Sequence, residues 1–368
     1  MWRRAELVAV LLVSCLLSAP APATAFGTIE GGGQHREHER ITRAALACRS
    51  GAVSSDGCFE PKSSDQLAGH HKSFGAVGAP DLTEVSDPSA HCDDADYLDG
   101  GYPRTRTQAT KRLLDCVDHL RGRFREAVER AAGLLDEADA LVGAEVDLGV
   151  DCVLDAGSEQ RAKCQTIEAF GRALHGAQDF YSHSNWADVA DPSRPLGADN
   201  PPGLGLPAPS PVLELRGTGT PTVPAALSTG CFVLRDRIPG VEACTGRVTH
   251  AGLNKDNGTV DPGTGGVTAP TTPRGRLADN FARAVTGAIV ETRHQWQEFR
   301  AALQAGYGRT RAALMICALT HDDPLDDCRR HRTATVVLVI SSGLIGLAGL
   351  GLLVFRIGRR HDRLMRSR

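Results

Sequence analysis

From Ala334 to Phe355 the chain carries no charge, and this run constrains everything that precedes it. Coiled at about 1.5 Å per residue it covers about 33 Å, enough to cross a hydrocarbon core. Arg356, Arg359, Arg360, Arg363, Arg366 and Arg368 follow it, the charge bias of a cytoplasmic flank. At the other end, Arg3 and Arg4 precede the apolar stretch Leu7 to Leu17 and the small residues Ala23-Thr24-Ala25. That stretch is too short to span a bilayer, so it reads as a secretory signal cut after Ala25, with Phe26 as the mature start. The expected order is a signal peptide (1–25), an ectodomain (26–320), a juxtamembrane linker (321–333), a transmembrane helix (334–355) and a basic cytoplasmic tail (356–368). Such a chain sits in the cell membrane as a single-pass protein with its N-terminal ectodomain outside.

Export sets the redox state. Cys15 leaves with the signal, and Cys48, Cys58, Cys92, Cys116, Cys152, Cys164, Cys231, Cys244, Cys317 and Cys328 remain. Their number is even and none forms a CxxC pair, so disulfides are expected rather than thiolate metal ligands. Spacing does not dictate connectivity; pairing sequence neighbours into local bridges is the simplest arrangement. The net charge of −3 includes the basic tail, so the ectodomain is more acidic than the whole. No basic stripe interleaved with aromatics appears, and no nucleic-acid partner is expected.

Apolar periodicity makes the ectodomain all-α. Helices are expected over Glu39 to Cys48, Thr105 to about Val142, Glu159 to His183, Arg276 to Gln304 and Thr310 to Leu319, with Ser158 as the N-cap of the third. Cys48 to Pro103 reads as loop, as does a Pro/Gly-rich insertion over 188–272 with a short hairpin near Cys231 to Leu234. Disulfides are expected to pin these loops.

The sharpest local signal is Leu174-His175-Gly176-Ala177-Gln178-Asp179-Phe180-Tyr181-Ser182-His183-Ser184-Asn185-Trp186. His175, Asp179 and His183 recur every fourth residue and therefore share one helix face. An isolated His-x-x-x-Asp is more often a solvated face. Here Leu174, Phe180, Tyr181 and Trp186 argue for a buried helix, in which a carboxylate between imidazoles is costly without a cation. Imidazole and carboxylate suit zinc and similar divalent ions. His38, Asp81, His91 and His250 offer the same chemistry from other segments, as a multi-metal site requires.

The order His38, Asp81, His91, His175-x-x-x-Asp179, His183, His250 resembles the ligand order of the bacterial zinc-dependent phospholipase C fold, shared by the zinc-dependent single-strand nucleases. The wording of the central motif is more similar to the fungal Het-C heterokaryon-incompatibility proteins and to the N-terminal region of some von Willebrand factor A domain-containing proteins. Ala25-Phe26-Gly27 followed by His38 looks like the Het-C start, and the arrangement is also similar to an actinobacterial membrane-anchored CinY-like group. The resemblance covers Phe26 to Gln304. It implies a zinc phospholipase C-like helical domain holding one to three zinc ions. One ion would be held by Asp81, His91, His175 and Asp179, and a second by His38, Asp179 and the amine and carbonyl of Phe26. A third would use His183 and His250, and Asp81 would act as general base. The chain departs from the phospholipases in having Phe26 for Trp, a closer spacing from Asp179 to His183, and Asn254 where they carry Glu.

The resulting expectation is a membrane-anchored, extracytoplasmic, metal-dependent phosphodiesterase acting on a phospholipid or another phosphodiester. The alternative is a non-catalytic surface protein whose metal cluster is structural and whose loops bind a partner.

Overall fold

The computed structural model describes residues 26–328 except 32, 50–56, 72, 156 and 232–243. The expected signal peptide, transmembrane helix and basic tail, and most of the expected hairpin near Cys231, lie outside the described residues. Among those described, no helix is long and apolar enough to cross a membrane. Two compact units divide the chain at Asp322. The second is described only over 323–328, a turn in which the Asp326 and Asp327 amides donate to the Asp323 carbonyl.

The first unit is helical. Its helices are α1 (Glu37–Leu46), α2 (Pro61–Ala68), α3 (Gly75–Gly78), α4 (Pro80–Thr83), α5 (Arg106–Arg130), α6 (Gly143–Val146), α7 (Ala162–His183), α8 (His250–Leu253) and α9 (Asn280–Thr320). The described strands form two minimal antiparallel hairpins, β1 (Glu30–Gly31) with β2 (Gln34–His35) and β3 (Thr259–Val260) with β4 (Val267–Thr268).

Several expected boundaries move. α5 opens on a reciprocal capping box, Thr105 Oγ1 accepting from the Gln108 amide while the Gln108 side chain accepts from the Thr105 amide. It closes at Arg130 into a 3-10 turn, well short of Val142. Ser158 does not cap α7, because its hydroxyl donates to the Asp155 carboxylate. Glu145 Oε2, from α6, instead accepts the amide of Ala162 at 2.6 Å. The two helices expected at the C-terminal end form one element, broken at Gly308, whose φ of 77° is non-helical. Cys48 to Pro103, expected as loop, contains α2, α3 and α4.

α5, α7 and α9 pack around a cluster of aromatic rings. Phe170 lies 4.8 Å from Phe299, which stacks on Trp296 at 5.6 Å and meets Phe124 edge-on at 5.8 Å. All four are almost wholly buried, each side chain contributing about 1.5–3 kcal/mol by removal from water. The Pro/Gly-rich segment is tied to this core by buried polar groups. Glu291 accepts from Tyr181 Oη and from the Ser210 amide, each at 2.8 Å. Asp188 is gripped by Arg274 at 2.8 Å and Lys255 at 3.3 Å, all three buried. An unpaired Asp188 there would cost several kcal/mol, so the network holds the segment in one arrangement.

The described bridges join sequence neighbours: Cys48–Cys58, Cys92–Cys116, Cys152–Cys164 and Cys231–Cys244. Cys317 and Cys328 are disulfide-bonded as well.

Candidate metal centre

α7 is buried on every side along nearly its whole length, and it carries His175, Asp179 and His183, each with no exposed surface. Two glycines let other segments come close to it. A Cβ on Gly176 would stand 2.5 Å from the Ala90 carbonyl, next to His91. A Cβ on Gly171 would stand 2.4 Å from Cβ of Ala76 in α3.

Asp179 and four other residues singled out from sequence come together. Its Oδ2 lies 3.0 Å from His175 Nε2 and 3.1 Å from His91 Nδ1, and its Oδ1 lies 3.1 Å from His38 Nε2. Asp81 Oδ1 faces His175 Nε2 at 3.8 Å and His91 Nδ1 at 3.9 Å. Thr28 Oγ1 donates to Asp81 Oδ2, leaving Oδ1 directed at the imidazoles. Asp81 is the most open member of the group, its side chain 19% exposed. Phe26 is buried with its ring edge-on to His38 at 5.8 Å.

A second cluster starts one helical turn further on. His183 Nδ1 lies 3.3 Å from Asp93 Oδ1, and His183 Nε2 lies 3.2 Å from Asp256 Oδ1. His250 Nδ1 reaches Asp93 Oδ2 at 3.1 Å, and its Nε2 lies 3.7 Å from Asp256 Oδ2. Asp93 and Asp256 were not singled out from sequence. Asn254, standing where the resembled family has Glu, accepts the Asp256 amide at 2.8 Å. The carboxylate that faces His183 and His250 is that of Asp256, two residues later, on a turn that Asn254 shapes. Asp93 was legible only as the second residue after His91. Cys92 and Asp94 around it take left-handed φ values of 53° and 65°, which cost about 1–3 kcal/mol each in non-glycine residues. The strained turn delivers His91 to the first cluster and Asp93 to the second.

Hydrogen bonding fixes which ring nitrogens face inward. His175 Nδ1 donates to the Val77 carbonyl at 2.8 Å, so its Nε2 lone pair points into the cluster. Thr292 Oγ1 donates to the Ala288 carbonyl and therefore accepts from Gln178 Nε2. That fixes the Gln178 amide, whose Oε1 accepts from His38 Nδ1 at 2.8 Å. The inner nitrogen of His38 then opposes Asp179 Oδ1 without making a hydrogen bond. His183 Nε2 and Asp256 Oδ2 are likewise buried without one. Lone pairs facing each other in a dry interior are costly unless a proton or a cation lies between them. Ring nitrogens whose far side is held by a carbonyl or amide oxygen are typical of metal-ligating histidines.

The electrostatics agree. Burial pushes the Asp179 carboxyl up, but His175, His183 and His38 outweigh it and hold Asp179 well below the usual carboxylate range. Burial likewise opposes ionisation of Asp93, yet His183 and His250 bring it down to about 2. His183 is held well above its ordinary value, since Asp93, Asp256 and Asp179 overcome the desolvation that would lower it. His175 is lowered, chiefly by burial. Groups able to hold a metal ion are therefore present: His91, His175 and Asp179; His38, Asp81 and His175; and Asp93, His183 and His250. Comparison with known proteins finds no matching family model, no curated relative and no similar solved structure.

Proposed function

We propose that the chain is a metal-dependent phosphodiester hydrolase of zinc phospholipase C-like fold, held at the outer face of a membrane by residues 334–355. The observation that carries this reading is the contact of one buried carboxylate, Asp179, with imidazoles from three segments, beside a partly exposed second carboxylate, Asp81. Asp81, His91, His175 and Asp179 would hold one ion, and His38 with Asp179 and the mature terminus at Phe26 another. Bound zinc supplies Lewis acidity toward a phosphoryl oxygen and acidifies water. The protein's own contribution is orientation and proton transfer. Val77 and Gln178 fix His175 and His38, and Thr28 turns Asp81 so that Oδ1 can take a proton from attacking water. A phospholipid is the phosphodiester that a membrane anchor brings within reach.

The second cluster invites a different role. Asp93, His183, His250 and Asp256 are all at most 1% exposed, and sites closed to solvent are characteristic of structural ions. Extended to both clusters, that burial supports the rival reading of a non-catalytic surface protein. Metal analysis of the purified protein combined with hydrolysis of a chromogenic phosphodiester and a short-chain phospholipid separates the two. Asp81→Asn is expected to keep most of the metal and lose turnover, and Asp179→Asn to lose metal. A wild type that binds zinc stoichiometrically and hydrolyses nothing across the panel leaves the structural reading alone standing.

A further inference from the structure

Three of the six large apolar side chains left exposed among the described residues fall in two short segments beside Asp81. Ile29 is 48% exposed, Leu82 56% and Val85 40%. Ile29 and Leu82 are the chain neighbours of Thr28 and Asp81, whose side chains are hydrogen-bonded to each other. Gly78, just ahead of α4, leaves no room for a Cβ against the Thr28 side chain, so the two segments are tightly packed. The far end of α4 is held from α7, where Arg172 Nη1 donates to Thr83 Oγ1 at 2.8 Å and to Glu84 Oε2 at 3.0 Å. α4 is thus fixed at both ends while Leu82 stays outside. Val85 follows in the next turn, which the Asp87 amide closes on the Glu84 carbonyl. One exposed leucine is ordinary, but three apolar groups beside the most open carboxylate of the first cluster make an apolar rim.

We propose that Ile29, Leu82 and Val85 enter the outer leaflet of a bilayer of net-uncharged lipids and bring a lipid phosphodiester to Asp81. The inference rests on the anchored-hydrolase reading above and adds the surface through which that site meets its substrate. Neither 27–31 nor 80–87 contains a lysine or arginine, and both carry acidic residues. The guanidinium groups of Arg36, Arg123 and Arg172 face Glu30 and Glu84. An anionic bilayer therefore finds no free cation in either segment, and contact depends on apolar surface. Residues 323–333 join the first unit to the apolar run at 334–355 and span at most about 40 Å when extended. Three half-exposed side chains are too few to hold a protein at a bilayer from solution. On a tether of that length the bilayer is always at high local concentration, and a small rim suffices.

The test places full-length Leu82→Trp protein in phosphatidylcholine vesicles whose acyl chains carry bromine, a contact quencher. Trp186 and Trp296 are buried and give a constant background. Leu82→Trp fluorescence should fall about twofold relative to plain vesicles, whereas Val150→Trp, at an exposed position in another segment, should keep its intensity. Adding Ile29→Ser and Val85→Ser to Leu82→Trp should remove most of the quenching, and replacing a fifth of the lipid by phosphatidylglycerol should not increase it. In otherwise unaltered protein, Leu82→Ser should slow hydrolysis of vesicle phospholipid about three- to tenfold. It should leave Tm and hydrolysis of a soluble chromogenic phosphodiester unchanged, because the side chain is exposed and lies outside the ligand set. The proposal is overturned if Leu82→Trp is not quenched, which assigns the rim to a protein partner, if Val150→Trp is quenched equally, or if quenching requires phosphatidylglycerol. Quenching at Leu82→Trp in a protein that hydrolyses neither substrate removes the enzyme reading and keeps the docking surface. Hydrolysis of both substrates without quenching removes the docking surface alone.

Discussion

Gly171→Ala tests whether packing between α3 and α7 sets the geometry of His175. The added Cβ would stand 2.4 Å from Ala76 Cβ, 2.6 Å from Ala76 C and 2.9 Å from the Val77 amide. Carbon atoms rest at about 3.5–4.0 Å, so α3 must withdraw by about 1 Å. That motion acts on the Val77 carbonyl, which accepts from His175 Nδ1 at 2.8 Å one turn along the helix. A bond lengthened by that much is largely lost. Overpacking costs about 1–3 kcal/mol and a buried ring N–H left without its acceptor about 1–3 more. Replacing a helical glycine by alanine returns about 0.5–1 kcal/mol. The net loss of about 1–5.5 kcal/mol corresponds, at about 2.1 cal/mol/K per residue over about 300 residues, to a fall in Tm of about 2–9 °C. Gly122→Ala is the control, because its Cβ would meet nothing within 4 Å, and it should raise Tm slightly. Thermal unfolding with and without added zinc, together with metal content, reads both effects. Wild-type Tm and full metal content in Gly171→Ala would refute the claim that this contact holds His175 in place.

Other outcomes follow from the same geometry. Asp256→Asn should release metal from the second cluster and leave the first loaded, so retention of all bound metal would remove Asp256 from the ligand set. In metal-free protein, Asp93 has its carboxyl lowered from 3.8 to about 2. Its contribution of about 2 kcal/mol is complete above pH 4 or so and is lost as pH falls through the folded value. His183, raised above its ordinary 6.5, contributes fully below that value and loses its contribution as pH climbs through the raised folded value. Urea unfolding across a pH series, repeated with Asp93→Asn, checks the acid limb, which the variant should flatten. Metal affinity should rise with pH, since the ligands must shed protons; direct titration of zinc at several pH values measures it. A protease added to intact cells should digest the region before Ala334 and spare an epitope placed after Arg368, whereas a protected ectodomain contradicts the topology.

What could be read from sequence was whatever is periodic or local. His175, Asp179 and His183 stand one turn apart, and burial of α7 followed from the apolar residues between them. The neighbouring cysteines paired as the simplest arrangement suggested in the four described bridges. The short helices between Cys48 and Pro103 were missed because each is too short to show a period, although Pro61 and Gly69 bracket α2 in the usual way. Ser158 misled because its hydroxyl is taken by Asp155, while Glu159 accepts the Gln160 and Arg161 amides that a Ser158 cap would have met, and α7 starts only at Ala162. Asp93 and Asp256 come together only through tertiary structure, and no spacing rule connects residues so far apart. Asn254 was legible as a departure from the resembled pattern, but only the tertiary structure shows that Asp256, whose amide it accepts, faces His183 and His250.

The Cys92–Cys116 bridge has a consequence for how the protein matures. Cys92 sits between His91 and Asp93, so a single sulfur–sulfur bond secures the loop that serves both clusters. In a reducing compartment the same loop must hold its left-handed turn without that tether, and its two ligands lose their preset spacing. Loading of any ion by the two clusters is therefore expected to follow formation of this bridge. Blocking both cysteines by alkylation before zinc is offered should leave the clusters poorly loaded, while protein oxidised first should fill them.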